Sequence, residues 1–396
     1  MSLLLTQGNA LRIPLADESV HCVVTSPPYY SLRDYGIDGQ LGMEASLEEY
    51  IDNMVLVFRE VKRVMRHDAV LFLNLGDSYV GGGRGGNAPE KHHDHSKGIH
   101  AGVTGLKPKD LMGVPWRVAF ALQADGWWLR QQYPWVKVNP MPESADDRPN
   151  SAVEFMFLLT KSSRYYFDME GAKECLAIKR NWRNGDGMLL LDCPTYGFPK
   201  AHFATYPPAL VEPCIKAGTS ERGVCPECGS PWERVVSERN PPKEKLTKRN
   251  APVDGMVKSG QRQDGVMYGS GQKMQAWLDA NPKTTLGWQP TCDHDHEPVS
   301  AVVFDPFSGS GTTLQVARAL GRNGVGLDLS LEYLQLARTR LSLDALDAWT
   351  DGAGQSDNGK DNAHKNKQVP GRQTHSFHEA RNEKDVTDLP MFEEMT

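Results

Sequence analysis

Residues 299–328 constrain the fold more than any other stretch of the chain. Val299–Asp305 is an apolar, β-branched run of strand length, and a glycine turn follows at Pro306-Phe307-Ser308-Gly309-Ser310-Gly311. Thr312–Leu320 then has helical spacing, Gly324–Asp328 reads as the next strand, and Glu332–Leu343 as the next helix. A strand, a helix and a strand joined this tightly form a right-handed parallel unit with the helix laid over the sheet. The glycines let a ligand approach the backbone, and the helix start offers free N–H groups. Asp328 stands 19 positions after Gly309, the distance at which an acid typically accepts hydrogen bonds from ribose hydroxyls. Asp305, just before the turn, would repel a pyrophosphate and suits a ligand that carries an amino group.

The rest of the chain continues the alternation. Val20–Thr25, Ala69–Asn74, Trp127–Val138 and Ala152–Thr160 read as strands; Leu47–Met65 and Pro108–Ala124 read as helices. The expectation is a mostly parallel α/β sheet. Gly81–Gly105 is Gly- and His-rich without a period and reads as a long mobile loop. Residues 347–396 carry ten acids against six bases and no sustained apolar period, which predicts a mostly disordered tail. Without them the chain is near neutrality, with local basic excess at Trp232–Arg262 and around Lys173, Lys179, Arg180 and Arg183. No apolar run approaches the ~20 residues of a membrane span. Seven cysteines, an odd and sparse set, argue against a secreted disulfide scaffold and for the reducing cytoplasm.

A second motif, Thr25-Ser26-Pro27-Pro28-Tyr29-Tyr30, sits at a strand end. Two prolines fix the backbone and remove two N–H donors, so acceptors are presented in a rigid frame beside a hydroxyl and an aromatic ring. That arrangement can hold a planar amine: acceptors for its N–H bonds, and Tyr29 to stack on its face. Tyr30 reads as a core residue. Together, Ser-Pro-Pro-Tyr and Asp-Pro-Phe-x-Gly-x-Gly-Thr-Thr resemble the β-class DNA amino-methyltransferases, which modify N4 of cytosine or N6 of adenine. The resemblance extends through Asn74-Leu75-Gly76-Asp77-Ser78-Tyr79, Trp135-x-Lys137-x-Asn139-x-Met141-Pro142-Glu143-Ser144, Glu154, Lys161 and Tyr165–Asp168. His202–Gly218 is similar to the family segment that lines the cofactor pocket, and the likeness spans about residues 5–345.

The resemblance implies a Rossmann-like, seven-stranded α/β fold that binds S-adenosylmethionine, circularly permuted so that the catalytic motif precedes the cofactor motif. It assigns catalysis to Ser26, Pro27, Pro28 and Tyr29. The cofactor falls to Gly8, Asn9, Asp305, Phe307, Gly309, Gly311, Thr312 and Asp328. Gly8-Asn9 departs from the family's usual Gly-Asp; Asn keeps a carbonyl acceptor for the adenine, so weakened rather than lost binding is expected. Ser26 favours cytosine N4 over adenine N6, which stays open. A non-catalytic DNA-binding protein and a nicotinamide-dependent oxidoreductase are the competing classes.

Cys225-Pro226-Glu227-Cys228 has the spacing of a zinc knuckle. Where the resembling family often has Cys-x-Cys, this chain has Cys292-Asp293-His294, so Cys225, Cys228, Cys292 and His294 form a structural Cys₃His set, with His296 in reserve. The expected organisation is a catalytic part over 1–220 with a target-recognition segment at about 168–200, a zinc-stapled insert over 221–298, a cofactor-binding part over 299–346, and the tail. Double-stranded DNA is the expected partner, with phosphate contacts from Trp232–Arg262; a cognate restriction enzyme and the oligomeric state are not legible.

Overall fold

The computed structural model describes residues 1–32, 34–81, 105–137, 140, 146–173, 175, 178–181, 188–193, 206–238, 277 and 280–343. Residues 82–104 of the expected Gly81–Gly105 loop, most of the insert and the tail lie outside the described residues. Among the described residues, eleven strands and six helices follow one another as β1 (Leu3–Gln7), β2 (Val20–Thr25), α1 (Leu47–Val64), β3 (Met65–Leu75), α2 (Val114–Ala124), β4 (Trp128–Lys137), β5 (Val153–Thr160), α3 (Met169–Lys173), β6 (Ile178–Asn181), β7 (Met188–Cys193), α4 (Pro208–Gly218), β8 (Trp232–Val236), β9 (Thr285–Pro290), β10 (Val302–Asp305), α5 (Thr312–Ala319), β11 (Asn323–Asp328) and α6 (Leu331–Arg340).

Nine strands form one sheet, in the order β1-β11-β10-β2-β3-β5-β4-β7-β6. The half from β1 to β3 is parallel throughout. β5 runs antiparallel to both β3 and β4, and β6 antiparallel to β7. β4 and β7 pair parallel, so the sheet is mixed but mostly parallel, with five of its eight strand pairings parallel. The sheet has nine strands where seven were expected, because β7 and β6 extend it beyond the β4 edge.

Both faces of the central strands are buried, which is why they read as unbroken apolar runs. On β3, Leu71, Leu73 and Leu75 face α1 and α2, whereas Val70 and Phe72 face α4. α1 follows its predicted period: Leu47, Tyr50, Met54, Val57, Phe58, Val61 and Val64 are buried. Ser46 caps it by accepting from the Glu49 N–H, with acids in the first turn and Lys62 and Arg63 in the last. Full burial of a side chain such as Phe58 stabilises by about 1.5–3 kcal/mol. α2 begins six residues later than its apolar pattern suggests, because Gly113 takes φ +67° as its N-cap and a proline occupies the first turn. None of the described helices is long and apolar enough to cross a membrane.

Candidate active site

Strand β10 lies beside β2, with Phe304 opposite Val23. That single pairing brings the two motifs, 280 positions apart, to one end of the sheet. The loops after both strands and after β11 enclose a cavity of about 430 Å³.

One wall is Ser26, Pro27, Pro28 and Tyr29. The Pro28 carbonyl accepts from the buried Tyr50 hydroxyl at 2.9 Å. Among the described residues no hydrogen bond reaches the Pro27 carbonyl, so the two prolines differ in what they offer. Tyr29 packs over Gly76, where an added Cβ would come within 2.5 Å of the ring. Its Oη donates to Glu154 Oε2 at 2.7 Å and accepts from Asn74 Nδ2 at 2.7 Å. Glu154 in turn pairs with Lys137. Tyr30 is 1% exposed and packs on Tyr50, as expected of a core residue.

The facing wall is built by the glycine turn and the ends of β1 and β11: Gly8, Asn9, Phe307, Gly309, Thr312 and Asp328 all reach the cavity. Gly309, at φ +48°, donates its N–H to Asp328 Oδ2 at 2.7 Å, and Ser330 N–H donates to Oδ1. Burial raises the Asp328 carboxyl above the usual carboxylate range, against these backbone bonds. Arg340 fixes the turn from behind, donating to Ser310 Oγ and Thr312 Oγ1. Asn9 spends an acceptor position of Oδ1 on the Leu11 N–H.

Two of the expected cofactor residues are not on this wall. Asp305 is 1% exposed. Its carboxylate already accepts from Thr25 Oγ1 at 2.7 Å, Thr313 Oγ1 at 2.7 Å, Tyr206 Oη at 2.9 Å and the Phe307 N–H at 3.1 Å. Burial pushes its pKa up, opposed by these donors. It ties β2, β10 and α5 together. Gly311 caps α5 at φ +79°, and a Cβ there would press on Ala337 of α6. Sequence reasoning also missed Tyr35, Tyr206, Ser308 and Tyr333, which line the cavity. Ser308 and Tyr206 carried a signal, the first inside the glycine turn and the second inside the segment expected to line the cofactor pocket.

The family model described as DNA methylase matches residues 20–226 and 295–339. The chain belongs to the N4/N6 DNA methylase family. Type II methyltransferase M.SmaI of Serratia marcescens is 34% identical over 336 residues, covering 83% of this chain and 86% of that protein. Type II methyltransferase M.Cfr9I of Citrobacter freundii is 46% identical over 219 residues, covering 54% of this chain and 72% of that protein. The solved PvuII DNA methyltransferase, described as cytosine-N4-specific, shares the fold with a TM-score of 0.52 at 15% identity, over 90% of this chain and 94% of that one.

The methylase carries a second cluster at the other end of its sheet. Cys225, Cys228, Cys292 and His294 bring one ligand atom each to within 4.8 Å of one another. Cys225 and Cys228 lie on a turn closed by the Gly229 N–H on the Cys225 carbonyl, and Cys292 and His294 follow β9, which pairs with β8. Behind the cluster, Glu227 meets His294 Nε2 at 3.2 Å and His296 Nε2 at 2.9 Å. His296 is thus a partner of Glu227 and not one of the four. Arg66, at the start of β3, donates to the Cys228 carbonyl at 2.6 Å. The cavity lies at the far end of the same strand, beyond Asn74, roughly 25 Å away at ~3.3 Å per residue.

Proposed function

We propose that this methylase moves the methyl group of S-adenosylmethionine to the exocyclic amine of a base flipped out of duplex DNA, and that the base is cytosine, methylated at N4. The observation that carries the reading is the shared cavity: an amine-holding wall and a nucleoside-holding wall face each other across a space large enough for a small ligand. The residues present fit the cofactor. Ser308 Oγ is buried in the cavity wall without a partner among the described residues, and Asp328 offers carboxylate lone pairs beside the glycine turn. Asp328 and Asn9 would hold the nucleoside, and Phe307, Gly309 and Thr312 the rest of the ligand. Asp305 and Gly311 support this wall from behind. When bound, the cofactor supplies an electrophilic methyl group on sulfur.

The target amine is conjugated and weakly nucleophilic. Hydrogen bonds from its N–H groups to Ser26 and the Pro27 carbonyl would pull it toward sp³ geometry and localise its lone pair, with Tyr29 stacked on the base. Much of the acceleration comes from placing two reactants. Extruding the base costs a few kcal/mol. A Ser hydroxyl is a shorter acceptor than a carboxylate or an amide, and the smaller pyrimidine leaves more room for it beside Tyr29; this favours cytosine. The order of the parts, Ser26–Tyr29 ahead of Asp305–Thr312, supports the permuted arrangement.

The cysteine cluster suits a structural zinc ion. Four donors within 4.8 Å match a tetrahedron with Zn–S of about 2.3 Å, and a closed set leaves no position for a substrate. Residues 1–220 with 299–346 form the methyltransferase part, and 221–298 the stapled insert, in this reading.

Plasmid DNA methylated by the protein, digested to nucleosides and analysed by mass spectrometry, tests the proposal. N4-methylcytosine is expected, with Ser26→Ala and Tyr29→Ala each severely impaired. N6-methyladenine alone would reject the base and keep the class. No methylated base from a cofactor-bound protein offered several DNA sequences would favour a non-catalytic DNA-binding role.

A further inference from the structure

Methylation of an exocyclic amine releases a proton, and neither a carbonyl nor a neutral hydroxyl can keep one. Resting on the reading above, we infer that Ser26, Tyr29 and Glu154 form a proton relay that drains the target amine as the methyl group arrives.

The directions of the hydrogen bonds carry this. Glu154 accepts, and the Asn74 amide nitrogen can only donate. Asn74 Nδ2 donates to Tyr29 Oη at 2.7 Å and to Glu154 Oε2 at 3.0 Å. The Tyr29 oxygen therefore receives a proton from Asn74 and gives its own to Glu154, at 2.7 Å. Ser26 Oγ donates to the same Tyr29 oxygen at 3.3 Å. The donors thus point one way, from the residue that would touch the amine to a carboxylate that would not. Asn74 is 1% exposed and fixes the chain from β3; Lys137, on β4, anchors the other Glu154 oxygen at 2.5 Å.

The balance closes. The amine nitrogen forms the N–CH₃ bond, and the donor's C–S pair stays on sulfur. The nitrogen loses one proton to Ser26 Oγ and keeps the N–H electron pair. The Ser26 proton passes to Tyr29 Oη, and the Tyr29 proton to Glu154 Oε2. Sulfonium, amine and carboxylate become thioether, methylamine and carboxylic acid, and no other reactant is needed. An amine that has gained a methyl group but kept both protons would be a strongly acidic cation, so even a carboxylate in an ion pair suffices as acceptor. Ser26 is then catalytic, whereas Asn74 and Lys137 are positioning residues.

The test uses full-length protein, S-adenosylmethionine and duplex DNA that the wild type methylates. Single-turnover rates are measured in H₂O and D₂O for Tyr29→Phe, Glu154→Gln and the double variant, with calorimetric cofactor affinity and thermal melting as independent readouts. Loss of a proton acceptor should slow each single variant by about 100-fold, with cofactor affinity held within about twofold. The wild type should be slower in D₂O and the variants indifferent to it, and the double variant should be no slower than the slower single. A folded single variant at wild-type rate, multiplicative losses in the double variant, or an unchanged solvent isotope effect would overturn the relay while leaving the methyltransferase standing. A wild-type protein that methylates no base overturns both.

Discussion

Tyr29 is held from three directions: by Gly76 beneath its ring, by Asn74 and Glu154 at its hydroxyl, and by the proline frame that precedes it. Gly76→Ala places a methyl group 2.5 Å from Tyr29 Cε2. The ring must tilt, and a shift of about 1 Å at a reacting centre can cost about 100-fold. Single-turnover methylation should fall to that extent while calorimetry finds cofactor affinity unchanged. Asp305 behaves differently. Asp305→Ala would strand the buried Thr25 hydroxyl and leave Thr313 and Tyr206 only each other and the Val24 carbonyl, so the melting temperature should drop, corresponding to about 1–3 kcal/mol, and cofactor affinity should weaken with it. A variant that melts like the wild type but binds no cofactor would return Asp305 to direct contact. The sequence made Ser26, Tyr29, Gly309 and Asp328 legible because their chemistry is local to a motif. It could not separate Asp305 from them, since burial by Tyr206 and Thr313 is a property of packing.

At the level of elements, the strands that were read correctly, β2, β3, β4, β5, β10 and β11, are those with apolar residues on both faces or clear turn signals at their ends. β1 escapes the sequence pattern because Leu3–Gln7 is a half-exposed edge strand without a turn signal before it. α4 hides from the sequence because Pro213 stands in the middle of it, where a proline removes a backbone donor and argues against a helix. The β8–β9 hairpin joins segments about fifty positions apart, with little apolar alternation in either. β2 and β10 are also linked by a side chain: His21 Nδ1 accepts from the Val302 N–H at 3.1 Å. Burial first, then the Arg66 charge, lowers the His21 pKa from 6.5 to about 4. The neutral ring is thus favoured on folding. Its stabilisation is complete above pH 6.5 and is lost as the pH falls toward 4, by at most about 3 kcal/mol. His21→Asn keeps an acceptor but does not titrate. Urea unfolding at stepped pH should show the wild type losing stability over that window relative to the variant; parallel curves would refute the assignment.

For the molecule as a whole, the cysteine cluster acts as a remote fastener. Arg66 carries it on the Cys228 carbonyl, and Arg234 of β8 forms a buried ion pair with Asp168 at 2.9 Å, so the hairpin grips the sheet at two points. Protein purified without added zinc should contain one ion per chain, and Cys225→Ser with Cys228→Ser should lose it, with a lower melting temperature but little change in cofactor affinity. His296→Ala should retain the metal. A metal-free wild type would remove zinc from the description. The pairing of β2 with β10 has a consequence for biosynthesis. A ribosome adds roughly 5–20 residues per second, so β2 emerges about 15–60 s before the strand that will lie beside it. Throughout that interval Ser26 and Tyr29 have no opposite wall, and the nascent chain can neither hold a methyl donor nor mark the genome. Activity begins only with the last strand pair, which makes an interrupted or truncated product inert.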